Sequence, residues 1–89
     1  MAYIMLLHPK AMKELEDIDE PMRGRIKRLL KELGSDPKAK GKQLKYSEYW
    51  SLRVGDYRAV YEIWVERRQV VVLFTGHRKN VYDDFRRLL

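Results

Sequence analysis

The chain has 89 residues, no cysteine and a formal net charge of +6 at pH 7. This length fits one domain, residues 1–89, and the lack of cysteine excludes disulfide frameworks and cysteine-based metal sites. No run approaches the ~18 apolar residues that a membrane-spanning helix needs, and the first ten residues lack the pattern of a secretory signal. We therefore expect a soluble, cytoplasmic protein.

The excess positive charge lies in the second part of the sequence. Residues 1–36 carry seven basic and seven acidic side chains, whereas residues 37–89 carry twelve basic and six acidic ones. A charge concentrated in this way indicates a polyanionic partner, such as nucleic acid, an acidic protein or an acidic membrane surface. A solubilising charged surface would give the same composition, so charge alone does not decide the function.

The first part of the chain predicts one strand and a helical hairpin. Residues 3–7 form a short apolar run, which Pro9 ends. Apolar residues then recur at helical spacing in two segments, separated by the helix-breaking residues 19–21. Gly34 stands where a left-handed helix cap is usual, and Asp36-Pro37 follows. The two apolar series are Ala11, Leu15 and Ile18, and Met22, Ile26, Leu29, Leu30 and Leu33.

Residues 37–45 are predicted to be a basic connector, in which lysines form a solvated loop or line the approach to a phosphate backbone. Beyond it the pattern alternates with a period of two, from Tyr49 to Val54 and again from Tyr57 to Val65. Gly55-Asp56 separates these runs and is typical of a type II′ hairpin turn. A third strand is predicted over residues 70–75, after a polar turn, and a short helix over Asp83–Leu89. The predicted fold class is α+β, in the order β-α-α-β-β-β-α.

The two-residue turn fixes which residues of the hairpin face each other. One face is apolar and suits a core under the helices, whereas the other face places Arg53 directly opposite Arg58. Like charges in a cross-strand pair are destabilising, so a small domain that keeps them indicates an anion between them. Alternatively, the two side chains diverge, or Glu62 or Asp56 neutralises one of them.

The third strand is expected to bring more polar groups to the same end of the sheet. If its preceding turn is tight, His77 and Arg78 arrive beside Arg58, although a slip of one residue would decide which of them points at the anion. Tyr82 follows shortly after. Arginines bind phosphate and stabilise its charge, and histidine and tyrosine can move protons.

The predicted cluster contains neither the carboxylates of a magnesium site nor a zinc-ligand array, so we expect no metal and no cofactor. Phosphoryl chemistry without a metal points to RNA, whose 2′-hydroxyl is an internal nucleophile. Trp64, on the same face, either stacks on a base or packs under a covering helix, and the second interpretation is favoured.

The hairpin run Trp50-Ser51-Leu52-Arg53-Val54-Gly55-Asp56-Tyr57-Arg58-Ala59-Val60-Tyr61, followed by Gly76-His77-Arg78-Lys79-Asn80-Val81-Tyr82, resembles the RelE/ParE toxin superfamily. The leading strand and helical hairpin also fit, so the resemblance covers nearly the whole chain. It implies a toxin that cuts messenger RNA on the ribosome, with an acidic, RelB-like antitoxin as its partner.

By this resemblance, Arg58 and Arg78 would bind the scissile phosphate, and Tyr82 would serve in proton transfer or base stacking. Arg53 stands near the place of a catalytic lysine, and Ser51 stands at or next to the place of a second one. Because arginine stays protonated at neutral pH, His77 is the candidate acid or base. The nucleic-acid-binding residues predicted are Lys42, Lys45, Arg53, Arg58 and Lys79.

Two alternatives remain open at this point. Toxins of the ParE type share the fold and the hairpin motif but poison DNA gyrase without cutting RNA. The chain would otherwise be a non-catalytic basic binding module or an inactive family member. The set formed by Arg58, Arg78 and Tyr82 favours the nuclease.

Overall fold

The computed structural model describes residues 2–45, 47–80 and 86 of the chain. It confirms an α+β fold in which a five-stranded sheet has the order β1-β5-β4-β3-β2. The strands are β1 (Ile4–Leu7), β2 (Lys42–Gln43), β3 (Tyr49–Val54), β4 (Tyr57–Trp64) and β5 (Gln69–His77), and the helices are α1 (Pro9–Glu16), α2 (Met22–Leu33) and α3 (Pro37–Lys40), with a 3-10 turn at Val65–Arg67. No helix in this described part is long and apolar enough to cross a membrane.

The sheet is mixed, because β1 pairs in parallel with β5 while the other neighbours are antiparallel. The parallel pair follows from the chain path, in which the helical hairpin and the strand hairpin both intervene between β1 and β5. The apolar faces of α1 and α2 cover one face of the sheet, which we call the helix face. The opposite face, which we call the open face, carries the candidate site.

The core lies between the helices and the helix face. Leu15, Ile26 and Leu33 are almost fully buried against the sheet residues of this face. These are the positions that the helical spacing predicts, so the amphipathic pattern explains why both helices pack on the same side. The sheet residues in this core are Leu52, Val54, Ala59, Tyr61, Val70 and Val72.

His8 is the N-terminal cap of helix α1. The His8 Nδ1 atom accepts a hydrogen bond from the Lys10 backbone N–H at 3.1 Å. Farther along, α1 provides hydrogen-bond partners for the end of β5, because β1 is too short to pair with that part of the strand. Glu14 Oε1 accepts from the Thr75 backbone N–H at 3.3 Å, and Thr75 Oγ1 donates to the Ala11 carbonyl at 2.8 Å.

The left-handed cap predicted at Gly34 is wrong, because this residue has a φ of −60°. Its carbonyl accepts a hydrogen bond of 2.7 Å from the Tyr3 backbone N–H, which joins the end of α2 to the start of β1. An added Cβ would lie 3.1 Å from the Tyr3 carbonyl oxygen. Close packing against the first strand, not backbone handedness, accounts for glycine here.

The basic connector is more ordered than predicted, since it contains α3 and the short edge strand β2. Asp36 caps α3 by accepting from the Ala39 backbone N–H at 3.3 Å. Strand β2 pairs with β3, with Lys42 opposite Ser51. The helix predicted over Asp83–Leu89 lies, apart from Arg86, outside the described residues, whereas residues 78–80 form a helical turn directly after β5.

A cationic groove on the open face of the sheet

The β3–β4 hairpin has the predicted register, with Val54 opposite Tyr57 and Arg53 opposite Arg58. Gly55 opens the turn with a φ of +60°, while Asp56 is not among the positive-φ residues, as a type II′ turn requires. The register is therefore set by a local turn that only a few residues adopt without strain.

Arg53 and Arg58 point to the open face, and the two differ in how they are held. Arg58 is half-buried, and its Nη1 atom donates to the Gly55 and Tyr57 carbonyls, each at 2.9 Å. Arg53 is exposed. Among the described residues no carboxylate forms an ion pair with either guanidinium, so the alternative in which Glu62 or Asp56 neutralises one of them does not occur. The pair keeps its full positive charge and leaves donors for an anion.

A groove of about 400 Å³ runs from the connector to this arginine pair. Among the described residues, its lining contains four cationic side chains and no acidic one. Because the cations come from β2, β3, β4 and the segment after β2, the groove exists only when the connector is packed beside the hairpin. The lining residues are Lys42, Gln43, Leu44, Lys45, Ser51, Arg53 and Arg58.

The connector is held in place by Tyr61 of β4, which is fully buried. The Tyr61 Oη atom donates to the Pro37 carbonyl at 2.8 Å. Burial raises the pKa of the Tyr61 hydroxyl far above its ordinary value, so this group remains a protonated donor at physiological pH. Neither this contact nor the role of Tyr61 was predicted from the sequence.

A bulge in β5 decides which residue faces Arg58. Val60 pairs with Phe74 and Tyr61 with Val72, so Leu73 is an extra residue and the alternation of β5 is shifted after it. Gly76 therefore lies opposite Arg58 and contributes no side chain there.

The same shift places His77 on the helix face. It pairs with Tyr57, and the two rings meet edge to face with centroids 5.7 Å apart. Its Nδ1 atom accepts from the Lys79 backbone N–H at 3.4 Å. The structure thus does not bring His77 together with Arg53 and Arg58. The expectation that His77 joins their cluster is wrong, because His77 lies on the opposite face of the sheet.

The remaining predicted residues lie beyond β5. The Arg78 backbone N–H donates to the Asp56 carbonyl at 2.9 Å, so its Cα lies at the hairpin turn, and its side chain is exposed. Lys79 is exposed on the same helical turn, outside the groove lining. Tyr82 lies outside the described residues, so its role stays a prediction.

Residues 5–82 match the sequence model of the ParE toxin of the type II toxin–antitoxin system parDE. The chain belongs to this family. A search of curated protein sequences finds no match.

Solved structures agree with this assignment. A free-state mutant of the Escherichia coli toxin RelE is 26% identical, with a TM-score of 0.79 over 100% of both chains. The RelB–RelE antitoxin–toxin complex from Methanococcus jannaschii is 28% identical, with a TM-score of 0.72 over 90% of this chain and 98% of that one. The chain is therefore a RelE/ParE-superfamily toxin of a toxin–antitoxin system with a RelE-like fold.

Away from the groove, the open face of this toxin exposes apolar side chains. Trp64 is 47% exposed, and the Arg67 guanidinium carbon lies 5.6 Å from its ring centroid. The C-terminal helix that was expected to cover Trp64 lies, apart from Arg86, outside the described residues, so that expectation stays a prediction. Ile4 and Leu6 of the edge strand are also exposed on this side. The open face thus has a cationic end at the hairpin turn and an apolar end at β1.

The described residues contain no group of three or more histidine, cysteine, aspartate or glutamate side chains that would hold a metal ion. The donors that the groove does offer are ammonium and guanidinium groups, an amide and a hydroxyl, which suit an anion. The part that Tyr61 plays in building this site was not predicted from the sequence. The signal was present as a tyrosine at a core position, since a buried tyrosine hydroxyl requires a partner.

Proposed function

We propose that this toxin is a ribosome-dependent endoribonuclease that cuts messenger RNA through the RNA's own 2′-hydroxyl. The observation that carries the proposal is the groove, in which Lys42, Lys45, Arg53 and Arg58 converge with no carboxylate among the described lining residues. Such a groove binds the phosphates of a single strand and, at the arginine pair, can stabilise the extra negative charge of a pentavalent phosphate. The likeness to RelE supports the same reaction class.

In this mechanism the 2′-oxygen attacks the adjacent phosphorus and the bond from phosphorus to the 5′-oxygen breaks. The products are a 2′,3′-cyclic phosphate and a free 5′-hydroxyl, and the proton lost from the 2′-hydroxyl is balanced by one delivered to the leaving oxygen. Arg58 is the proposed phosphate clamp, because its bonds to Gly55 and Tyr57 fix it at the turn. Arg78 would approach from the other side of that turn.

Tyr82 and His77 are the proposed proton-transfer groups. Tyr82 is the first candidate for proton transfer, whereas His77 would have to act from the edge of the helix face. Arginine is excluded as a base near neutral pH. A Tyr82→Phe variant that binds ribosomes normally but cuts slowly would support proton transfer, whereas an unchanged rate would leave base stacking as its role.

The decisive experiment is in vitro translation of a defined message, with primer extension to map the cut. A message carrying 2′-O-methyl or 2′-deoxy substitution at the mapped position should resist cleavage, because its nucleophile is missing. Cutting of the substituted message at the normal rate would refute the mechanism.

A second candidate function is inhibition of DNA gyrase, which the match to the ParE family favours. Toxins of the two types share the fold, so the fold does not separate the two functions. A supercoiling assay with purified gyrase, run beside the translation assay, distinguishes them. Inhibited gyrase together with an intact message would establish the ParE-type activity instead.

We also propose that an acidic, partly helical antitoxin of the RelB type neutralises the toxin in the cytoplasm. The RelE chains of Escherichia coli and Methanococcus jannaschii have been solved with their RelB antitoxins. The groove and the apolar end of the open face offer such a segment charge and hydrophobic contact. Purification of the native chain as a stable, partnerless and non-toxic monomer would contradict this proposal.

A further inference from the structure

Tyr61 joins two parts of the toxin that are far apart in sequence. Its hydroxyl donates to the carbonyl of Pro37, which lies 24 positions earlier, and both residues are buried. Its ring also stacks on Trp50, with centroids 6.5 Å apart and an angle of 22°. The tyrosine therefore fixes the start of the basic connector against the central hairpin.

The connector returns to the same ring four residues later, at Gly41. A Cβ added there would overlap the Tyr61 hydroxyl and would lie 2.8 Å from Cζ and 3.2 Å from the Ser51 carbonyl oxygen. Gly41 has a φ of −111°, which any residue adopts, so glycine is needed for space and not for backbone freedom. The connector backbone lies directly against the tyrosine.

Strand β2 begins at the next residue, and its position depends on this contact. It pairs through only two residues, with Lys42 opposite Ser51, and the Leu44 backbone N–H donates to the Tyr49 carbonyl at 2.9 Å. So short an edge strand has little stability of its own. Leu44 packs near Val60 and Phe74 on the open face and provides a second anchor.

We propose that Tyr61 is a positioning residue of the phosphate groove: through Pro37 and Gly41 it holds the connector where Lys42 and Lys45 stand beside the arginine pair. It touches no RNA itself. The inference rests on the proposed function in one respect, that the groove binds RNA phosphates. The hydroxyl is the relevant group, because the ring would remain in the core without it.

The test uses a single-stranded RNA oligonucleotide and measures affinity against salt concentration for the full chain. Each phosphate contact contributes about 0.7 to the slope of log K against log salt on a single strand. Lys42→Ala/Lys45→Ala should therefore lower the slope by roughly 1.4. Tyr61→Phe should reproduce most of that loss and add nothing when combined with the two lysine substitutions. Tyr57→Phe, on the same strand and face, is the matched control and should leave the slope unchanged.

Amide hydrogen exchange tests the same role without RNA. In Tyr61→Phe the amide of Leu44 should exchange roughly five- to tenfold faster, because one buried hydrogen bond is lost, while amides between β4 and β5 keep their protection. Gly41→Ala approaches the contact from the connector side and should give the same selective change. If either variant loses protection throughout the sheet, that variant is destabilised as a whole. The exchange of the Leu44 amide in the other variant then tests the proposal.

Three results would overturn the proposal. One is an equal loss of affinity from Tyr61→Phe with and without the two lysines, which would mean a general loss of stability. Another is unchanged protection of the Leu44 amide in both variants. The third is a slope that the lysine substitutions do not alter, since the groove would then not bind RNA. A toxin that cuts no message but shows the expected slopes and exchange would refute only the nuclease function.

Discussion

The two faces of strands β3 and β4 use the same register for opposite purposes. On the helix face, Trp50 stacks on Tyr61 and the tyrosine hydroxyl is satisfied by a backbone carbonyl. Three residues along from Trp50, on the open face, Arg53 faces Arg58 with no described carboxylate paired to either. The helix face contributes stability through burial, while the turn end of the open face loses some stability because it concentrates charge.

This difference teaches that activity and stability are separable in this toxin. The hairpin turn sets both faces at once, so the charge pair is held by a backbone whose rigidity comes from the other side of the sheet. Apart from Tyr61, whose hydroxyl is proposed to position the connector, substitutions on the helix face should therefore affect unfolding. Substitutions at the cationic end of the open face should affect the reaction. The four predictions below test that separation.

The largest effect is expected for Arg58→Ala in the mapped cleavage assay. Loss of a clamp on the developing phosphate charge should lower the rate about 10²- to 10³-fold. The free energy of unfolding should fall by only about 1 kcal/mol, from the loss of bonds to two turn carbonyls. Arg28→Ala, an exposed arginine of α2, is the control. Full activity of Arg58→Ala at equal concentration would remove Arg58 from the site.

A helix-face substitution should give the reverse outcome. Leu15 is 1% exposed in the main core, so Leu15→Ala should lower the free energy of unfolding by about 3 kcal/mol. At a temperature where the variant is still folded, its cleavage rate should match that of the wild type. Urea denaturation and single-turnover cleavage measure the two quantities. A large rate loss in the folded variant would mean that the faces are coupled.

A smaller effect is expected where α1 meets the edge of β5. Thr75→Val keeps the side-chain shape but removes the hydroxyl that donates to the Ala11 carbonyl, and should cost about 1 kcal/mol. Thr75→Ser retains the donor and should recover most of that hydrogen-bond contribution. Thermal melts of the three proteins give the comparison. Equal losses in both variants would assign the effect to packing instead.

The smallest effect has the opposite sign. Arg53→Thr removes one member of the cross-strand charge pair, so stability should rise by about 0.3 kcal/mol at low salt. Added salt should stabilise the wild type more than the variant, because screening weakens a repulsion that only the wild type has. Denaturation at two salt concentrations checks this. Lower stability of Arg53→Thr at low salt would show that the pair is not repulsive.

The sequence predicted the hairpin and its register because that information is local. A two-residue turn at Gly55-Asp56 leaves one pairing that buries the apolar residues, and the like-charged pair follows from it. The helical hairpin was also predicted, since two amphipathic series of helical spacing bracket a proline. The sequence predicted that the groove lysines bind nucleic acid, but it did not predict that they line one cavity together with the arginines.

What the sequence did not predict depends on contacts between distant residues. Strand β2 is too short to show alternation, and it is placed by Tyr61, which lies 24 positions after its partner Pro37. The bulge at Leu73 has no sequence signal in an apolar run, yet it moves His77 to the other face. Gly34 was misread because close approach and left-handed capping both select glycine.

The pairing of β1 with β5 has a consequence for how the chain folds. The α1–α2 hairpin and the β3–β4 hairpin each need only near neighbours. Thr75 of β5 and Ala11 of α1, which are joined by a hydrogen bond, are 64 positions apart. Closing so long a loop is entropically costly and is compensated only when β1 and β5 both dock. We expect the last step of folding to be the joining of two preformed halves along β5, with a rate that substitutions in β1 slow more than substitutions in β2.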